Sequence, residues 1–248
     1  AAAWSPDGTH VLTGSKDGTA HIWDTTSGNN TLTLTHEHPV LAVAWSPDGT
    51  YVITGSGAKA CIWDATTGDN TLTLKHTDWI GAAAWSPNGT HILSGSADRT
   101  VRIWDATTGD KTLTLTTNSE IAAVAWSPDG QHVLSGSGDG TARIWDATTG
   151  DNTLTLTHSH TNWVVAVAWS PDGTHVLTGS SDGTARIWDA TTGDDALTLT
   201  HTYWIGAAAW SPDGTHILTG SKDGTARIWE STTGEQAQFM IATLPEGE

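Results

Sequence analysis

Fifteen tryptophans stand in a chain of 248 residues that has one Phe, two Tyr and one Met, and most of them recur at a fixed interval. A Trp-Ser-Pro-Asp/Asn-Gly run begins at Trp4, Trp45, Trp85, Trp126, Trp169 and Trp210, at spacings of 41, 40, 41, 43 and 41. A second series, Ile-Trp-Asp/Glu, falls at Trp23, Trp63, Trp104, Trp145, Trp188 and Trp229, so twelve of the fifteen tryptophans are periodic. Self-similarity at such a period means one supersecondary unit, copied and stacked on its neighbours, and it outranks any local propensity.

Within each unit short β-prone runs alternate with turn chemistry, as in Thr174-His175-Val176-Leu177-Thr178 and Thr184-Ala185-Arg186-Ile187-Trp188. The intervening Ser-Pro-Asp-Gly and Ser-Asp-Gly segments supply a fixed φ at Pro and a permitted positive φ at Gly. Four strands per unit follow: a, ending at Ala-Trp-Ser; b, His-Val/Ile-Leu-Thr/Ser-Gly-Ser; c, Thr-Ala-Arg-Ile-Trp-Asp; and d, Thr-Leu-Thr-Leu-Thr. No stretch holds a helical period, which excludes a solenoid of helix pairs. Four antiparallel strands every 41 residues make a propeller blade, so the expected fold is all-β, a β-propeller of six blades. Its repeat units are 1–36, 37–76, 77–117, 118–160, 161–201 and 202–248, within a single domain spanning 1–248.

Composition sets outer limits. Twenty-seven acidic against ten basic side chains give a formal net charge of −17, which disfavours nucleic-acid phosphates and anionic lipid as partners. No apolar run approaches the roughly 20 residues of a membrane-spanning helix. The single cysteine, Cys61, excludes an internal disulfide framework and a cysteine zinc cluster. No glycine-rich loop follows a strand and opens a helix, so nucleotide binding has no support. A cytoplasmic chain without cofactor or metal is expected.

The Ile-Trp-Asp, Ser-Pro-Asp-Gly and Asp-Gly-Thr segments, in six registered copies, resemble the WD-repeat β-propeller family over nearly the whole chain. The wording Ile-Trp-Asp-Ala-Thr-Thr-Gly is similar to propellers attached to bacterial and fungal signalling ATPases and kinases. Blades 4 and 5 share thirteen identical residues, Asp139 to Asp151 and Asp182 to Asp194, the mark of recent duplication or of design. The resemblance implies a buried network in each blade: a His before strand a, a strand-b hydroxyl, an Asp in the b–c turn and the strand-c Trp. By position these are His76, Ser94, Asp98 and Trp104 in blade 3; His160, Thr178, Asp182 and Trp188 in blade 5; and His201, Thr219, Asp223 and Trp229 in blade 6. Each of these histidines lies nine residues before its strand-a Trp. The hydroxyl two residues further along strand b is the alternative acceptor. A His, Ser and Asp invite a catalytic reading, yet a triad is needed once and this trio recurs, so the set is read as structural and the chain as no enzyme.

Three blades depart from the pattern. Blade 2, Ser56-Gly57-Ala58-Lys59-Ala60-Cys61-Ile62-Trp63, is one residue short and lacks the turn Asp, leaving His36, Thr54 and Trp63. Blade 4 has Thr117 in the His position, and blade 1 opens inside strand a at Ala1. These three are expected to be less stable than blades 3, 5 and 6. With the order a, b, c, d in every unit, closure would rest on packing of blade 6 against blade 1. The abrupt start suggests a piece of a longer array. Six blades in one ring is the first reading; a seven-blade ring completed by further sequence, and self-association between chains, are the alternatives.

Three tryptophans escape the repeat: Trp79, Trp163 and Trp204, each in a loop joining strand d to strand a. With Tyr203, Asp78, Asn162 and Arg99 they form the expected surface for a protein partner, since aromatic side chains concentrate binding energy. The competing reading is that they fold down over the blade edges as packing. The opposite ends of the blades would carry most carboxylates, Asp7, Asp48, Asp129, Asp172 and Asp213 among them, read as solubilising charge. The periodic His10, His91, His132, His175 and His216 are too far apart, one per blade, to share a metal. The expected function is thus a non-catalytic interaction scaffold or sensor within a larger signalling protein. Alternatives are a carbohydrate- or small-ligand-binding propeller, and an engineered or recently amplified protein whose role is assembly.

Overall fold

The computed structural model describes residues 1–158 and 162–241, and among them there is no helix. Blade 1 consists of β1 (Ala2–Trp4), β2 (His10–Gly14), β3 (Thr19–Asp24) and β4 (Asn30–Thr35); blade 2 of β5 (Val40–Trp45), β6 (Tyr51–Ser56), β7 (Lys59–Asp64) and β8 (Asn70–Lys75). Blade 3 follows with β9 (Ile80–Trp85), β10 (His91–Ser96), β11 (Thr100–Asp105) and β12 (Lys111–Thr116); blade 4 with β13 (Ile121–Trp126), β14 (His132–Ser137), β15 (Thr141–Asp146) and β16 (Asn152–Thr157). Blade 5 has β17 (Val164–Trp169), β18 (His175–Ser180), β19 (Thr184–Asp189) and β20 (Asp195–Thr200); blade 6 has β21 (Ile205–Trp210), β22 (His216–Ser221), β23 (Thr225–Glu230) and β24 (Gln236–Ile241). Each consecutive four make one sheet whose spatial order follows chain order, the six four-stranded antiparallel blades that the repeat predicts.

Two compact units divide the chain, Ala1–Trp126 and Ser127–Glu248. In blades 2 to 5 strand b is covered on both faces. Successive residues Val52 and Ile53 in β6, Ile92 and Leu93 in β10, and Val176 and Leu177 in β18 are all fully buried. That is why strand b sets two aliphatic residues side by side rather than alternating apolar with polar. The core lies between neighbouring blades: Ile53, Ile62 and Leu74 of blade 2 pack with Ile80, Ile92 and Trp104 of blade 3. In the second unit Leu177, Ile187 and Leu199 pack with Ile205, Ile217 and Trp229. Each such aliphatic side chain contributes about 1.5–3 kcal/mol on burial. Strand d, by contrast, alternates: in β8, Leu74 is buried while Thr71 and Thr73 face water, as expected of a strand with one wet face. Close approach explains the strand-b glycine. A Cβ on Gly95 would stand 2.5 Å from Ile121 Cγ2 and 2.8 Å from Val124 Cγ1, so no larger residue fits there.

The a–b and c–d turns account for much of the acid. In blade 2, Asp48 Oδ1 accepts from Ser46 Oγ at 2.6 Å and from the Thr50 N–H at 3.0 Å, while Ser46 Oγ accepts from the Tyr51 N–H at 2.9 Å. Asp64 Oδ1 accepts from the N–H groups of Thr66 and Thr67 at 2.9 and 2.8 Å. The same bonds recur at Asp7, Asp129, Asp172 and Asp213, so these carboxylates close turns besides carrying charge.

The b–c turns differ between blades in a telling way. Four of them place glycine in the left-handed region, Gly18, Gly140, Gly183 and Gly224, with φ of 86°, 81°, 87° and 82°. Blade 3 has Arg99 there, with φ 67°, the only non-glycine at positive φ among the described residues. A side chain in that region costs roughly 1 kcal/mol or more. Blade 2 avoids the position altogether: its shorter hairpin pairs Ser56 with Lys59 around Gly57, φ 54°, the type II′ pattern of a two-residue turn. Arg99→Gly should therefore stabilise the protein by about 1 kcal/mol. Urea denaturation is the measurement, and a variant no more stable than the parent would show that the Arg99 side chain recovers its backbone strain elsewhere.

Candidate functional site

The strand-c Trp and the strand-b hydroxyl meet in all six blades. The indole Nε1–H donates to Thr13, Thr54, Ser94, Ser135, Thr178 and Thr219 from Trp23, Trp63, Trp104, Trp145, Trp188 and Trp229, at 2.8, 2.7, 2.8, 2.9, 2.7 and 2.8 Å. Blades 3 and 6 add the full set. Ser94 Oγ lies 2.7 Å from His76 Nε2, and His76 Nδ1 lies 2.9 Å from Asp98 Oδ2. Thr219, His201 and Asp223 repeat those distances, 2.7 and 2.9 Å. It is the hydroxyl of Ser94 that takes this place; Ser96 Oγ, two residues on, donates to the Asp78 carbonyl at 2.9 Å.

Blade 5 corrects the sequence reading. His160 lies outside the described residues, and His158 is the histidine that meets Thr178 through Nε2, with Nδ1 3.2 Å from Thr184 Oγ1 and 3.6 Å from Asp182. The network His is the first residue after strand d, as His76 follows β8 and His201 follows β20. Counting nine back from Trp169 misplaced it, because the two extra residues of this repeat lie between His158 and strand a.

The proton order within the network is fixed by its ends. A carboxylate can only accept, so Nδ1 carries the hydrogen; Nε2 then accepts from the hydroxyl, whose oxygen accepts the indole N–H. Burial holds the His76 imidazole below its ordinary pKa despite Asp98, keeping it neutral. Burial also opposes ionisation of Asp98, but bonds from Thr100, the Thr77 N–H and His76 outweigh it and hold the carboxyl far below its usual range. The direction of the chain is that of a Ser-His-Asp triad. Chemistry is blocked all the same: Ser94 and Thr219 are fully buried and their oxygens are engaged by a tryptophan. Among the described residues no three His, Cys, Asp or Glu come together as a metal set.

The strand-c Arg, which by its place two residues before the Trp reads as packing along the blade surface, is a fifth member of the network. Arg102 donates to Asp98 Oδ2 at 3.1 Å and to the Lys75 carbonyl at 2.7 Å, with its guanidinium 5.9 Å from the Trp104 ring centroid. Arg227 repeats the contact with Asp223 at 3.5 Å and Arg143 pairs with Asp139 at 3.0 Å. The available signal was internal: blade 2 loses the turn Asp and, at Cys61, the Arg as well.

The d–a loops stand over the b–c turns, tied to them by backbone. The carbonyls of Trp79, Trp163 and Trp204 accept from the N–H groups of Ala97, Ser181 and Lys222 at 2.8, 2.9 and 2.8 Å. Their rings remain 41%, 40% and 45% exposed, so they are not folded away as packing. In the first unit the Trp79 ring lies 5.7 Å from that of His38, and exposed Asp78 accepts from the Trp79 N–H at 2.8 Å. In the second unit Tyr203 stacks on Trp204 at 5.7 Å and 7°, and Lys222 Nζ sits 4.3 Å from the Trp204 ring centroid. Arg99 is exposed, and Asn162 is half-buried in the loop that holds Trp163.

Compared with known families, residues 21–244 match the model of the TolB beta propeller domain, and residues 1–24 match that of the WD domain, G-beta repeat. The chain belongs to the TolB β-propeller domain family. Six tryptophan-marked, four-stranded blades make it a WD-repeat-like propeller, in keeping with the resemblance of its motifs. No curated protein matches it.

At the other end of the propeller's blades, the a–b turns and c–d loops frame a row of notches, each between two neighbours of one unit. The notch between blades 4 and 5 holds about 460 Å³ and is lined by Pro128, Asp129, His132, Leu154, Trp169 and Asp172. Similar notches of about 430, 410 and 360 Å³ occur between blades 5 and 6, 1 and 2, and 2 and 3. Ring contacts span them: His132 lies 6.3 Å from Trp169, and His10 6.3 Å from Trp45. The strand-a tryptophans therefore line surface features, where the repeat pattern alone made them core.

Removing one hydroxyl tests the network's energetics. Ser94→Ala strands both the Trp104 N–H and His76 Nε2, whereas Ser135→Ala strands only the Trp145 N–H. At about 1–3 kcal/mol per buried group left unpaired, the first should cost about 2–6 kcal/mol and the second about 1–3. Chemical denaturation of both variants gives the comparison; equal losses would mean the histidine bond adds nothing to stability.

Proposed function

We propose that this propeller is a non-catalytic protein-interaction module, acting as a scaffold or sensor within a larger signalling protein. The observation that carries this is the exposure of Trp79, Trp163 and Trp204 on loops whose backbones are hydrogen-bonded in place. A rigid loop presenting a half-exposed indole loses little entropy on binding, and buried Trp and Tyr side chains dominate interface energies. Tyr203 and Lys222 extend the surface around Trp204. Replacing the three tryptophans with Ala and repeating partner capture from the expressing cell is the test. A drop in affinity of tenfold or more is expected. Undiminished recovery of the same partner would remove these loops from the binding surface.

A second reading has its own support in the notches between blades. An indole and an imidazole beside carboxylates, in a space of about 460 Å³, suit a small polyhydroxylated ring whose apolar face stacks and whose hydroxyls bond to Asp129 and Asp172. Repetition along the blades would multiply a weak site into a useful one. A glycan array of the whole chain checks this reading, with binding expected to fall in Trp169→Ala; an array without hits would set it aside.

A further inference from the structure

Blade 2 is a natural deletion experiment inside one chain. Its b–c turn, Ser56-Gly57-Ala58-Lys59, is one residue shorter than Ser96-Ala97-Asp98-Arg99-Thr100 and has no Asp, and Cys61 stands where blade 3 has Arg102. Two bonds around those positions are kept. Trp63 Nε1–H donates to Thr54 Oγ1 at 2.7 Å, and Ser56 Oγ donates to the His38 carbonyl at 2.6 Å, as Ser96 Oγ does to that of Asp78 at 2.9 Å. Blade 2 thus keeps the loop contact, the hydroxyl and the indole; it lacks the carboxylate and the guanidinium, and its histidine no longer meets the hydroxyl.

In blade 3 that carboxylate is a gathering point. Asp98 Oδ2 accepts from His76 Nδ1 at 2.9 Å, from the Thr77 N–H at 3.1 Å and its hydroxyl at 3.3 Å, and from Arg102 at 3.1 Å. The same ground in blade 2 is an open groove of about 570 Å³, lined by His36, Glu37, Lys59, Cys61, Trp63 and Lys75 among others. His36 is the counterpart of His76, and its buried Nε2 has no hydrogen-bond partner. The Glu37 N–H is the counterpart of the Thr77 N–H. Two of the ten Lys and Arg side chains of this acidic chain, Lys59 and Lys75, flank the groove. Lys59 Nζ reaches Glu37 at 3.1 Å on the exposed side.

We propose that the blade-2 groove binds a carboxylate from outside the chain, seated where Asp98 Oδ2 lies in blade 3. His36 Nδ1–H and the Glu37 N–H donate to it, and the lysine ammonium groups favour its charge. Glu37 is the one carboxylate lining the groove and is held by Lys59 at 3.1 Å, which leaves Lys75 as the lysine not paired to it; the neutral Cys61 thiol, raised in pKa by burial, adds no second anion. The groove is larger than a carboxylate alone, so the group belongs either to a free carboxylic acid or to an Asp or Glu side chain of a polypeptide. The inference stands on the groove itself and is independent of the aromatic loops.

The test is a titration of the full, isotope-labelled chain with sodium acetate against sodium chloride at matched ionic strength, followed by NMR at the His36 ring and the Trp63 indole. A saturable, acetate-specific shift is expected there, with Kd on the order of 1–100 mM for so small a ligand, and none at His76 or Trp104. Two variants carry opposite expectations. Replacing Gly57-Ala58 by Ala-Asp-Arg together with Cys61→Arg restores the internal carboxylate and should abolish the shift. Cys61→Arg alone restores only the guanidinium and should tighten acetate binding several-fold. Repeating the titration with a capped Gly-Asp-Gly peptide separates the sources: tenfold tighter binding than acetate assigns the site to an acidic side chain, and equal or weaker binding to a free acid. Acetate and chloride acting alike, or Cys61→Arg weakening the acetate response, would overturn the proposal.

Discussion

One bond is common to every blade, the indole N–H of the strand-c Trp to the strand-b hydroxyl, between 2.7 and 2.9 Å in all six. It ties two adjacent strands, and in blades 3 to 6 it is buried, so there neither group has water as an alternative partner. The rest of each blade is arranged around that constraint. Strand b must be apolar on both sides except at this residue, and it must carry glycine next to it so that the following blade can close in. Strand d, outside the constraint, is free to alternate and to face solvent. The histidine, the turn Asp and the Arg are additions that some blades have and others lack, while the Trp–hydroxyl bond persists in blade 2 without the Asp and the Arg, and in blade 4 without the histidine.

Periodicity made the fold legible, because twelve tryptophans at fixed offsets fix strand number and order without any knowledge of tertiary contacts. Register within a variable repeat was less so. His160 and His158 both satisfy a His-before-strand-a pattern, and only the hydrogen-bonding distance from the end of β16 selects His158. Arg102, which with Arg143, Arg186 and Arg227 stands two residues before the strand-c Trp, was harder to read for a different reason: such an Arg reads as a stem packed along the blade surface, and its contact with Asp98 depends on hairpin geometry that sequence spacing does not convey. The strand-a tryptophans show the converse. A repeated Trp reads as core, but the blade-to-blade notch that exposes one side of Trp169 exists only once two blades are packed.

The large negative charge also changes meaning once the turns are seen. Asp7, Asp172 and Asp213 have their carboxyls lowered to about 2, chiefly by bonds from Ser5, Ser170 and Ser211. These are exposed groups, so the shifts record local turn geometry and carry little global stability. A net charge of −17 therefore arises as a by-product of copying a turn six times, not as a surface selected for its field. The same copying explains why few local features can be functional: whatever recurs in every blade serves the blade.

Function in such a chain must lie where the copies disagree, and the disagreements cluster. Blade 3 carries Arg99 in a backbone region its neighbours reserve for glycine; blade 2 has lost its turn carboxylate; the non-periodic Trp79 sits on the loop between them. All three belong to d–a loops and b–c turns, which are joined by backbone hydrogen bonds such as Trp79 to Ala97 and His76 to Ala58. The a–b turns, by contrast, vary by little more than Asn88 for Asp, or Gln131 for Thr. A backbone held at two points tolerates side-chain change without loss of shape. These loops are thus the place where a repeat protein can acquire specificity while the Trp–hydroxyl bond below them keeps the blade intact.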